Sequence, residues 1–179
     1  TDLPSEEPSF RQELIPEYKA NRPPMPEDLR EQIPLLDRLA EALRLPMVGV
    51  AGYEADDVMG ALAKLAEERG MDTYLATGDR DAYQLVSDHT FICASDRSLQ
   101  SASILDAEGV REKLGVPPER VIDLKALAGD PSDNIKGIQG VGPKRALGLL
   151  QEFGTVEGVI ENISRIPNQR IREATEGAI

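Results

Sequence analysis

Three clusters of acidic residues are the part of this sequence best suited to chemistry. In chain order their members are Glu54, Asp56, Asp57, Asp79, Asp81, Asp130 and Asp133. Carboxylates this close together repel one another unless a cation joins them, and Mg²⁺ prefers oxygen ligands of this kind. Two such ions about 4 Å apart stabilise both the attacking and the leaving oxygen when a phosphodiester is hydrolysed. The acids therefore predict a site for two divalent cations that acts on a phosphodiester.

Predicted strands place the first two clusters. Met47–Val50 is predicted to be a short buried strand before Glu54, and Thr73–Ala76 is predicted to be a strand before Asp79. The carboxyl ends of successive parallel strands face the same edge of a sheet, where ligands bind. The first two clusters are therefore expected to converge at that edge, and the third follows a predicted helix.

The first two clusters also have a purely structural explanation, which stays open. Asp56 and Asp57 suit the first turn of a helix, where the helix dipole favours negative charge. Asp79 could be an N-cap and Asp81 a first-turn residue. The metal site is the favoured interpretation because the three clusters coincide with element ends that can meet.

A second motif, GIQGVGPKRA from Gly137 to Ala146, is suited to binding phosphate. Its glycines permit tight turns, and Pro143 suits the first position of a helix whose N–H groups would face a phosphate. This pattern is typical of a helix–hairpin–helix that holds a DNA backbone without reading its sequence. An ordinary glycine-rich connection between helices is the alternative. The predicted DNA-binding residues here are Lys136, Gly140, Gly142, Lys144 and Arg145.

Composition limits the class of protein without deciding the partner. The 179 residues fit one domain, or one domain with a small appendage, and carry a formal net charge of −12. Acidic balance is unusual for a nucleic-acid binder, but seven of the acids lie in the three clusters, where bound cations would offset them. The stretch Asn134–Leu150 is basic and contains no acid. No apolar run approaches the ~20 residues of a membrane span, and the single Cys93 excludes an internal disulfide, so a cytoplasmic location without a membrane partner is expected.

Hydrophobic periodicity predicts an α/β region followed by a helical one. Strands are predicted over 47–50, 73–76, 90–94 and 101–105, and helices over 27–44, 55–69, 82–86, 106–114, 121–128 and 143–153. The strands alternating with helices favour a parallel α/β sheet up to about residue 105, with an all-helical remainder. The residues expected on buried helix faces are Leu29, Ile33, Leu36, Leu39, Ala40, Leu43, Val58, Leu62 and Leu65.

The chain resembles the 5′ nuclease domain of bacterial DNA polymerase I and the related stand-alone flap endonucleases. The matching stretches are PSFRQELIPEYKANRPPMPEDLREQIP, GYEADDVMGALA, ATGDRDAYQLV, DLKALAGDPSDNI and GIQGVGPKRA. The resemblance implies a PIN-like parallel-sheet core, here incomplete, followed by a helix-three-turn-helix DNA-binding subdomain. The expected domains are 1–105, with a partial helical arch over about 5–26, and 106–179.

The resemblance also implies a function and roles for particular residues. It implies hydrolysis of DNA at 5′ flaps and 5′ ends with Mg²⁺ or Mn²⁺, in replication and repair, with a polymerase domain in cis or in trans. The first five acids would belong to the catalytic metal site, and Asp130 and Asp133 to the second metal position. In the arch, Arg11, Lys19 and Arg22 would contact the scissile region, and Tyr18 would pack beside an unpaired base. A K⁺ ion at the hairpin is a further implication.

One departure from the family pattern leaves two alternatives open. Members of the family begin with strands that carry two further metal-binding aspartates, and the sequence from Thr1 begins after them. Its C-terminal helices are also shorter than in the family. The expected alternative is therefore a truncated fragment that binds branched DNA without cutting it. A metal-dependent phosphatase is a third possibility.

Overall fold

The computed structural model describes residues 9–94 and 103–178 and divides the chain into two compact units. The first unit is Thr1–Val58 with Ser132–Asn134, and the second is Met59–Pro131 with Ile135–Ile179. The start of the expected arch and the first two residues of the predicted strand 101–105 lie outside the described residues.

Within its described residues, 9–58 and 132–134, the first unit contains two helices and the start of a third. They are α1 (Phe10–Leu14), α2 (Glu27–Ala42) and α3 (Ala55–Glu67), which continues into the second unit. Ser9 begins α1 with a capping box, in which its backbone N–H donates to Gln12 Oε1 at 3.1 Å. The predicted helix from residue 27 is confirmed, and it contains Pro34.

The expectation of a buried face on α2 is wrong. None of its residues is buried, and Leu29, Leu36 and Leu39 are all exposed. The 3.6-residue pattern correctly predicts a helix with one apolar face, but the pattern alone cannot supply a surface that covers it. The same correction applies to Leu62 and Leu65 in α3, where only Ala63 is buried.

The predicted strand Met47–Val50 is also wrong. This segment has no strand conformation, and the side chains of Met47 and Val48 are 65% and 61% exposed. A strand is defined by the ladder of hydrogen bonds that it shares with a neighbour, and no strand pairs with this segment within the described residues. An apolar run alone therefore does not form a strand here.

The second unit is built on a three-stranded sheet, β1 (Thr73–Ala76), β2 (Thr90–Ala94) and β3 (Ser103–Leu105), in the order β1-β2-β3. β1 and β2 are parallel, with Thr73 opposite Thr90. β3 is an antiparallel edge strand, with Leu105 opposite Ile92. The predicted strands 73–76 and 90–94 are confirmed at both ends. Cys93 lies in β2 as predicted, where it is half-buried.

Helices with defined caps extend the second unit beyond the sheet. α4 (Ala107–Leu114) begins at Asp106, whose Oδ1 accepts from the N–H of Gly109 at 2.9 Å, and ends at Gly115 with φ +79°. α5 (Val121–Ala128) follows a 3₁₀ turn, and a short 3₁₀ helix over Asp81–Leu85 follows β1. The fully buried core residues include Ile92, Val110, Val121, Leu127, Val159 and Ile166.

A small hairpin corrects the expectation that everything after residue 105 is helical. β4 (Gly129–Asp130) pairs antiparallel with β5 (Ile135–Lys136) directly after α5. The chain continues through α6 (Pro143–Phe153), α7 (Val156–Glu161) and α8 (Gln169–Glu176). A two-residue strand is too short to show an alternating pattern, so the sequence carries no signal for this hairpin.

The single histidine provides a test of the second unit in solution. His89 Nδ1 lies 2.8 Å from Asp72 Oδ1, and this hydrogen bond raises the pKa of His89 above its ordinary value of 6.5. Because the pKa is higher in the folded chain, the pair stabilises the fold below about pH 6.5, and this contribution is lost as pH rises through the folded pKa. The imidazole resonance measured by NMR should therefore titrate above 6.5, and Asp72→Asn should lower its midpoint. An unchanged midpoint in that variant would contradict the pairing.

Candidate active site

The first acidic cluster lies at the start of α3, and part of it caps the helix. The backbone N–H of Glu54 donates to Asp57 Oδ2 at 3.0 Å, and the N–H of Asp57 donates back to the Glu54 carbonyl at 3.0 Å. Asp56 and Asp57 occupy the first turn, as the structural explanation requires. Capping leaves other oxygen lone pairs of these carboxylates for further partners, so it does not exclude a second role.

Basic side chains of the segment 11–22 reach three of the predicted metal-binding acids in the first unit. Arg11 donates from Nη1 and Nη2 to the two carboxylate oxygens of Asp57, both at 2.7 Å. Lys19 Nζ lies 2.7 Å from Glu54 Oε2. Arg22 Nη2 lies 2.5 Å from Asp133 Oδ1. Each of these acids therefore already binds a positive charge.

The Arg11–Asp57 pair has the planar two-bond geometry that makes such contacts strong. The hydrogen bond from Arg11 holds the pKa of Asp57 below its ordinary value, and the bond to Asp57 raises the pKa of Arg11. Both side chains are only partly exposed, so solvent screens this attraction less than at an open surface. Asp57 is therefore ionised throughout the neutral pH range and is suited to binding a cation.

Tyr18 joins two acids that are distant in sequence. Its ring is only 4% exposed, and its hydroxyl oxygen lies 3.0 Å from Glu54 Oε2 and 3.1 Å from Asp133 Oδ2. Burial, followed by the two nearby carboxylates, raises the pKa of Tyr18, so the hydroxyl keeps its proton and donates it. With the ring buried, stacking on an unpaired base would require Tyr18 to move. In this conformation its position instead holds the two carboxylates near each other.

The backbone around Lys19 is strained and is held in place by hydrogen bonds to the segment 133–134. Lys19 has a φ of +56°, a left-handed conformation that costs a residue with a side chain about 1–2 kcal/mol. Its N–H donates to the Asp133 carbonyl at 2.9 Å, and Asn134 Nδ2 donates to the Glu17 carbonyl at 2.7 Å. Such strain persists only where surrounding contacts enforce it and is concentrated at functional sites. The Lys19 ammonium is thus directed at Glu54 by an unusual local backbone.

In the second unit, Asp81 and Asp130 meet around one lysine that sequence reasoning missed. Lys125 Nζ donates to Asp130 Oδ2 at 2.6 Å and to Asp81 Oδ1. Burial raises the pKa of Asp81, while the bonds from Lys125 act in the opposite direction. Lys125 lies in the last turn of α5, where the helix dipole is a sufficient explanation for a lysine. In the sequence, only the position of Lys125 five residues before Asp130 indicates a contact with that acid.

Asp79 stabilises the turn before the 3₁₀ helix but is not its N-cap, which is Arg80, whereas Asp81 is in the first turn as the structural explanation requires. Its Oδ1 accepts from the N–H of Asp81 at 2.9 Å, and its own N–H donates to Thr77 Oγ1 at 3.0 Å. This turn leads from β1 into the 3₁₀ helix that carries Asp81. Asp79 is exposed, so its other oxygen can still act as a ligand. The side chain of Asp56 is half-buried in the first turn of α3.

The predicted helix–hairpin–helix motif begins where two backbone segments approach each other closely. A Cβ on Gly129 would lie 2.4 Å from the nitrogen of Gly137, and one on Gly137 would lie 2.2 Å from the nitrogen of Gly129. Neither position accepts a side chain without moving backbone. The Ile138 N–H donates to the Leu127 carbonyl at 3.0 Å, and buried Val141 anchors the loop. The connection between α5 and α6 is therefore a tight, specific turn.

The predicted DNA-binding residues of the hairpin lie around the start of α6. Gly140 has a φ of +82°, and its carbonyl accepts from Arg145 Nη1 at 2.5 Å. Gly142 is the N-cap residue, and no acidic residue occupies the first turn of α6. Lys144, Arg145 and Lys136 are all exposed. The turn therefore carries positive charge at a helix N-terminus, which is the arrangement that binds phosphate.

The donor set fits a divalent cation of the hard type. A carboxylate oxygen of Asp81 lies within 4.8 Å of one of Asp130, and both accept from the same ammonium nitrogen, which occupies the place of a cation. In the first unit, Glu54, Asp57 and Asp133 each accept from a cationic nitrogen. Only oxygen donors are involved, as Mg²⁺ and related ions require. Such ions would stabilise charge on the oxygens of a phosphodiester.

Comparisons with known proteins cover nearly the whole chain. Residues 1–115 match the model of the 5′-3′ exonuclease N-terminal resolvase-like domain, and residues 116–178 match that of the 5′-3′ exonuclease C-terminal SAM fold. Thermostable DNA polymerase I of Thermus filiformis is 46% identical over 94% of the chain, and DNA polymerase I of Bacillus subtilis is 38% identical over 94%. These matches span 20% and 19% of the two relatives, so the chain corresponds to about a fifth of their length.

Solved structures agree with the sequence comparisons. A bacteriophage T5 5′-exonuclease with bound divalent zinc ions is 28% identical, with a TM-score of 0.74 over 96% of this chain and 66% of that one. A T5 flap endonuclease in a pseudo-enzyme–product complex with DNA and metal ions is 27% identical, with a TM-score of 0.75 over the same shares. The catalytic core of Rad2 with DNA is 21% identical, with a TM-score of 0.60 over 95% of this chain and 55% of that one, and shares the fold.

The two matching family models and the DNA polymerase I relatives assign the chain to a family. The expected fold class, an α/β core followed by a helical subdomain, is confirmed by the two matching models and by the T5 structures. The predicted resemblance is confirmed over the same residues, and the acids of the candidate site lie within both matched regions. The chain belongs to the 5′-3′ exonuclease family.

Proposed function

We propose that this chain is a structure-specific 5′ nuclease that hydrolyses DNA phosphodiesters at 5′ flaps and 5′ ends during replication and repair. The observation that carries the proposal is that five predicted metal-binding acids each accept from a cationic nitrogen. They are Glu54, Asp57, Asp81, Asp130 and Asp133. Membership of the 5′-3′ exonuclease family and the DNA and metal ions in the T5 complex support the same function.

The metal ligands are proposed as the sequence predicts them. Glu54, Asp56, Asp57, Asp79 and Asp81 serve the catalytic metal position, and Asp130 and Asp133 serve the second. The ions are Mg²⁺ or Mn²⁺, which suit an all-oxygen donor set. When bound, they supply charge stabilisation for the attacking and leaving oxygens. A K⁺ ion at the Gly140–Gly142 turn is proposed from the family resemblance of that turn.

Three basic residues are proposed to act on the phosphate. Arg11, Lys19 and Arg22 bind carboxylates in the structure, and a cation on each carboxylate would release the side chain for another anion. The scissile phosphate is that anion, and its negative charge grows as hydrolysis proceeds. Lys19 is the best candidate for transition-state stabilisation because its backbone is held by Asp133.

Replacing Lys19 tests this role. Lys19→Met keeps most of the side-chain volume but removes the charge, and it is expected to lower the single-turnover cleavage rate by about 10²–10³-fold. The flap Kd, measured by fluorescence anisotropy, should change much less because Lys19 acts mainly on developing charge. Lys64→Met removes the same charge from an exposed position of α3 and serves as the control. A larger loss of binding than of rate would contradict the role.

The nature of the substrate tests the function itself. The chain should be incubated with Mg²⁺ or Mn²⁺ and with four labelled substrates: a 5′ flap, a nicked duplex, a blunt duplex and a small phosphate ester. Cleavage near the base of the flap, with little cleavage of the blunt duplex, is expected. Hydrolysis of the ester but not of DNA would indicate a phosphatase instead.

A non-cleaving DNA-binding protein is the second candidate. The helix–hairpin–helix turn before α6 favours this candidate, because the turn can hold duplex DNA without any metal. Flap binding with no cleavage under either ion would support this candidate and overturn the nuclease. The two functions share one DNA partner and differ only in turnover.

The proposed partners and location follow from the substrate. The partner is branched or nicked DNA, together with a polymerase domain in cis or in trans, as in the DNA polymerase I relatives. Acting on DNA places the protein in the cytoplasm or nucleoid. Among residues 9–94 and 103–178, no helix combines the length and apolar content needed to cross a bilayer.

A further inference from the structure

Lys125 is a cationic side chain that binds two predicted metal ligands at once. Its ammonium group contacts Asp81 and Asp130, which come from different elements of the second unit. The three side chains are 34%, 29% and 11% exposed, so the contact is largely shielded from solvent. An ammonium in this position neutralises two carboxylates that would otherwise repel each other.

The position of Lys125 has a consequence for any ion that uses the same oxygens. Asp130 Oδ2 is 2.6 Å from the Lys125 ammonium, and an ion on the same oxygen would lie about 2.1 Å from it. The oxygen keeps a second lone pair, but an ion bound there would lie beside the ammonium, and the two cations would repel each other. Metal binding at these oxygens therefore opposes the Lys125 contacts, and the weakening of those contacts lowers the observed metal affinity.

We propose that Lys125 sets the divalent-metal affinity of the Asp81–Asp130 pair by competing for the same carboxylate oxygens. This inference rests on the proposed metal site. Lys125 holds the two acids together when no ion is bound, and the cost of displacing it keeps the ion exchangeable. It is a residue that tunes the site rather than a ligand.

Metal titration of three variants tests the competition. Lys125→Met removes the charge with little change in volume, Lys125→Arg keeps the charge, and Lys113→Met removes an equal charge from an exposed position of α4. Mn²⁺ binding is measured by isothermal titration calorimetry. Lys125→Met is expected to bind Mn²⁺ about tenfold more tightly, equivalent to about 1.4 kcal/mol. Lys125→Arg and Lys113→Met should remain close to the unaltered chain.

Thermal unfolding gives a second readout. With EDTA present, Lys125→Met should melt at a lower temperature than the unaltered chain, because its two carboxylates lose their counter-charge. Added Mn²⁺ should raise its Tm by more than it raises that of the unaltered chain. Equal or weaker Mn²⁺ affinity in Lys125→Met would overturn the inference, and so would equal tightening in Lys125→Arg.

A measurement on the unaltered chain covers the case in which Lys125→Met does not fold. The NMR signal of the Lys125 side-chain Hε protons should shift as Mg²⁺ saturates the chain, and an unmoved signal would overturn the inference. Asp81→Asn separates this failure from failure of the metal site. Mn²⁺ affinity equal in Asp81→Asn and in the unaltered chain would reject the site itself, whereas a loss of affinity in Asp81→Asn with no gain in Lys125→Met rejects only the competition.

Discussion

Asp81→Asn is expected to lower the rate of 5′-flap cleavage about a thousandfold or more while leaving flap binding largely intact. Asp81 accepts from the same cation as Asp130 and is part of the donor set that suits a divalent ion. A thousandfold loss corresponds to about 4 kcal/mol, which is within the stabilisation that a bound metal gives to phosphodiester chemistry. Asparagine keeps the shape but removes the negative charge. The rate is measured under single-turnover conditions with saturating enzyme.

A matched control and the binding measurement separate chemistry from folding. Asp37→Asn makes the same change at an exposed position of α2 and should leave the rate unchanged. The Kd of Asp81→Asn for the flap, measured by anisotropy in EDTA, should stay within a few-fold of the unaltered chain. A loss of binding as large as the loss of rate would show that Asp81 is structural. An unchanged rate would remove Asp81 from the metal site.

Replacing Lys144 and Arg145 together by alanine should weaken duplex binding at least about tenfold, whatever the base sequence. Both side chains are exposed at the start of α6, where they add charge to the helix N-terminus. Each lost phosphate contact lowers the slope of log K against log salt by about 0.9, so the double variant should lose about two units of slope. The slope is measured by anisotropy over a range of KCl concentrations.

Single variants and a charge-matched control complete this test. Arg145 also donates to the Gly140 carbonyl, so its loss loosens the turn as well as removing charge. Lys144→Ala has no such structural effect and should remove about one unit of slope. Arg111→Ala with Lys113→Ala lowers the charge equally on exposed positions of α4 and should leave the slope unchanged. Equal slopes for both double variants would contradict binding by the hairpin.

Elements whose signals are local were predictable from the sequence. β1 and α6 have the predicted ends because each is defined by its own residues: an apolar run for β1, and Pro143 and the glycine after Phe153 for α6. The predicted strand Met47–Val50 is wrong because a strand also needs a neighbouring strand, which its own residues do not specify. The predicted burial of α2 is wrong for the same reason, since periodicity predicts an apolar helix face but not the surface that would pack against it.

The types of the site residues were predictable, but their pairing was not. Closely spaced aspartates signal a cation site by their mutual repulsion, which needs no tertiary structure. Two side chains each join a pair of acids that lie far apart in the chain. Tyr18 joins Glu54 and Asp133, and Lys125 joins Asp81 and Asp130. A buried tyrosine or a lysine at a helix end has an ordinary explanation in each case, so only the fold shows these contacts.

Metal-dependent cleavage by the unaltered chain is the most direct test of the proposed 5′ nuclease function. A 5′-flap substrate labelled at both ends is bound in EDTA, and its binding is confirmed by anisotropy before Mg²⁺ or Mn²⁺ is added in excess. We expect no product before the addition and, after it, a short 5′-labelled product cut near the base of the flap. Stable binding with no product under either ion would contradict the nuclease function and leave the chain as a DNA-binding protein.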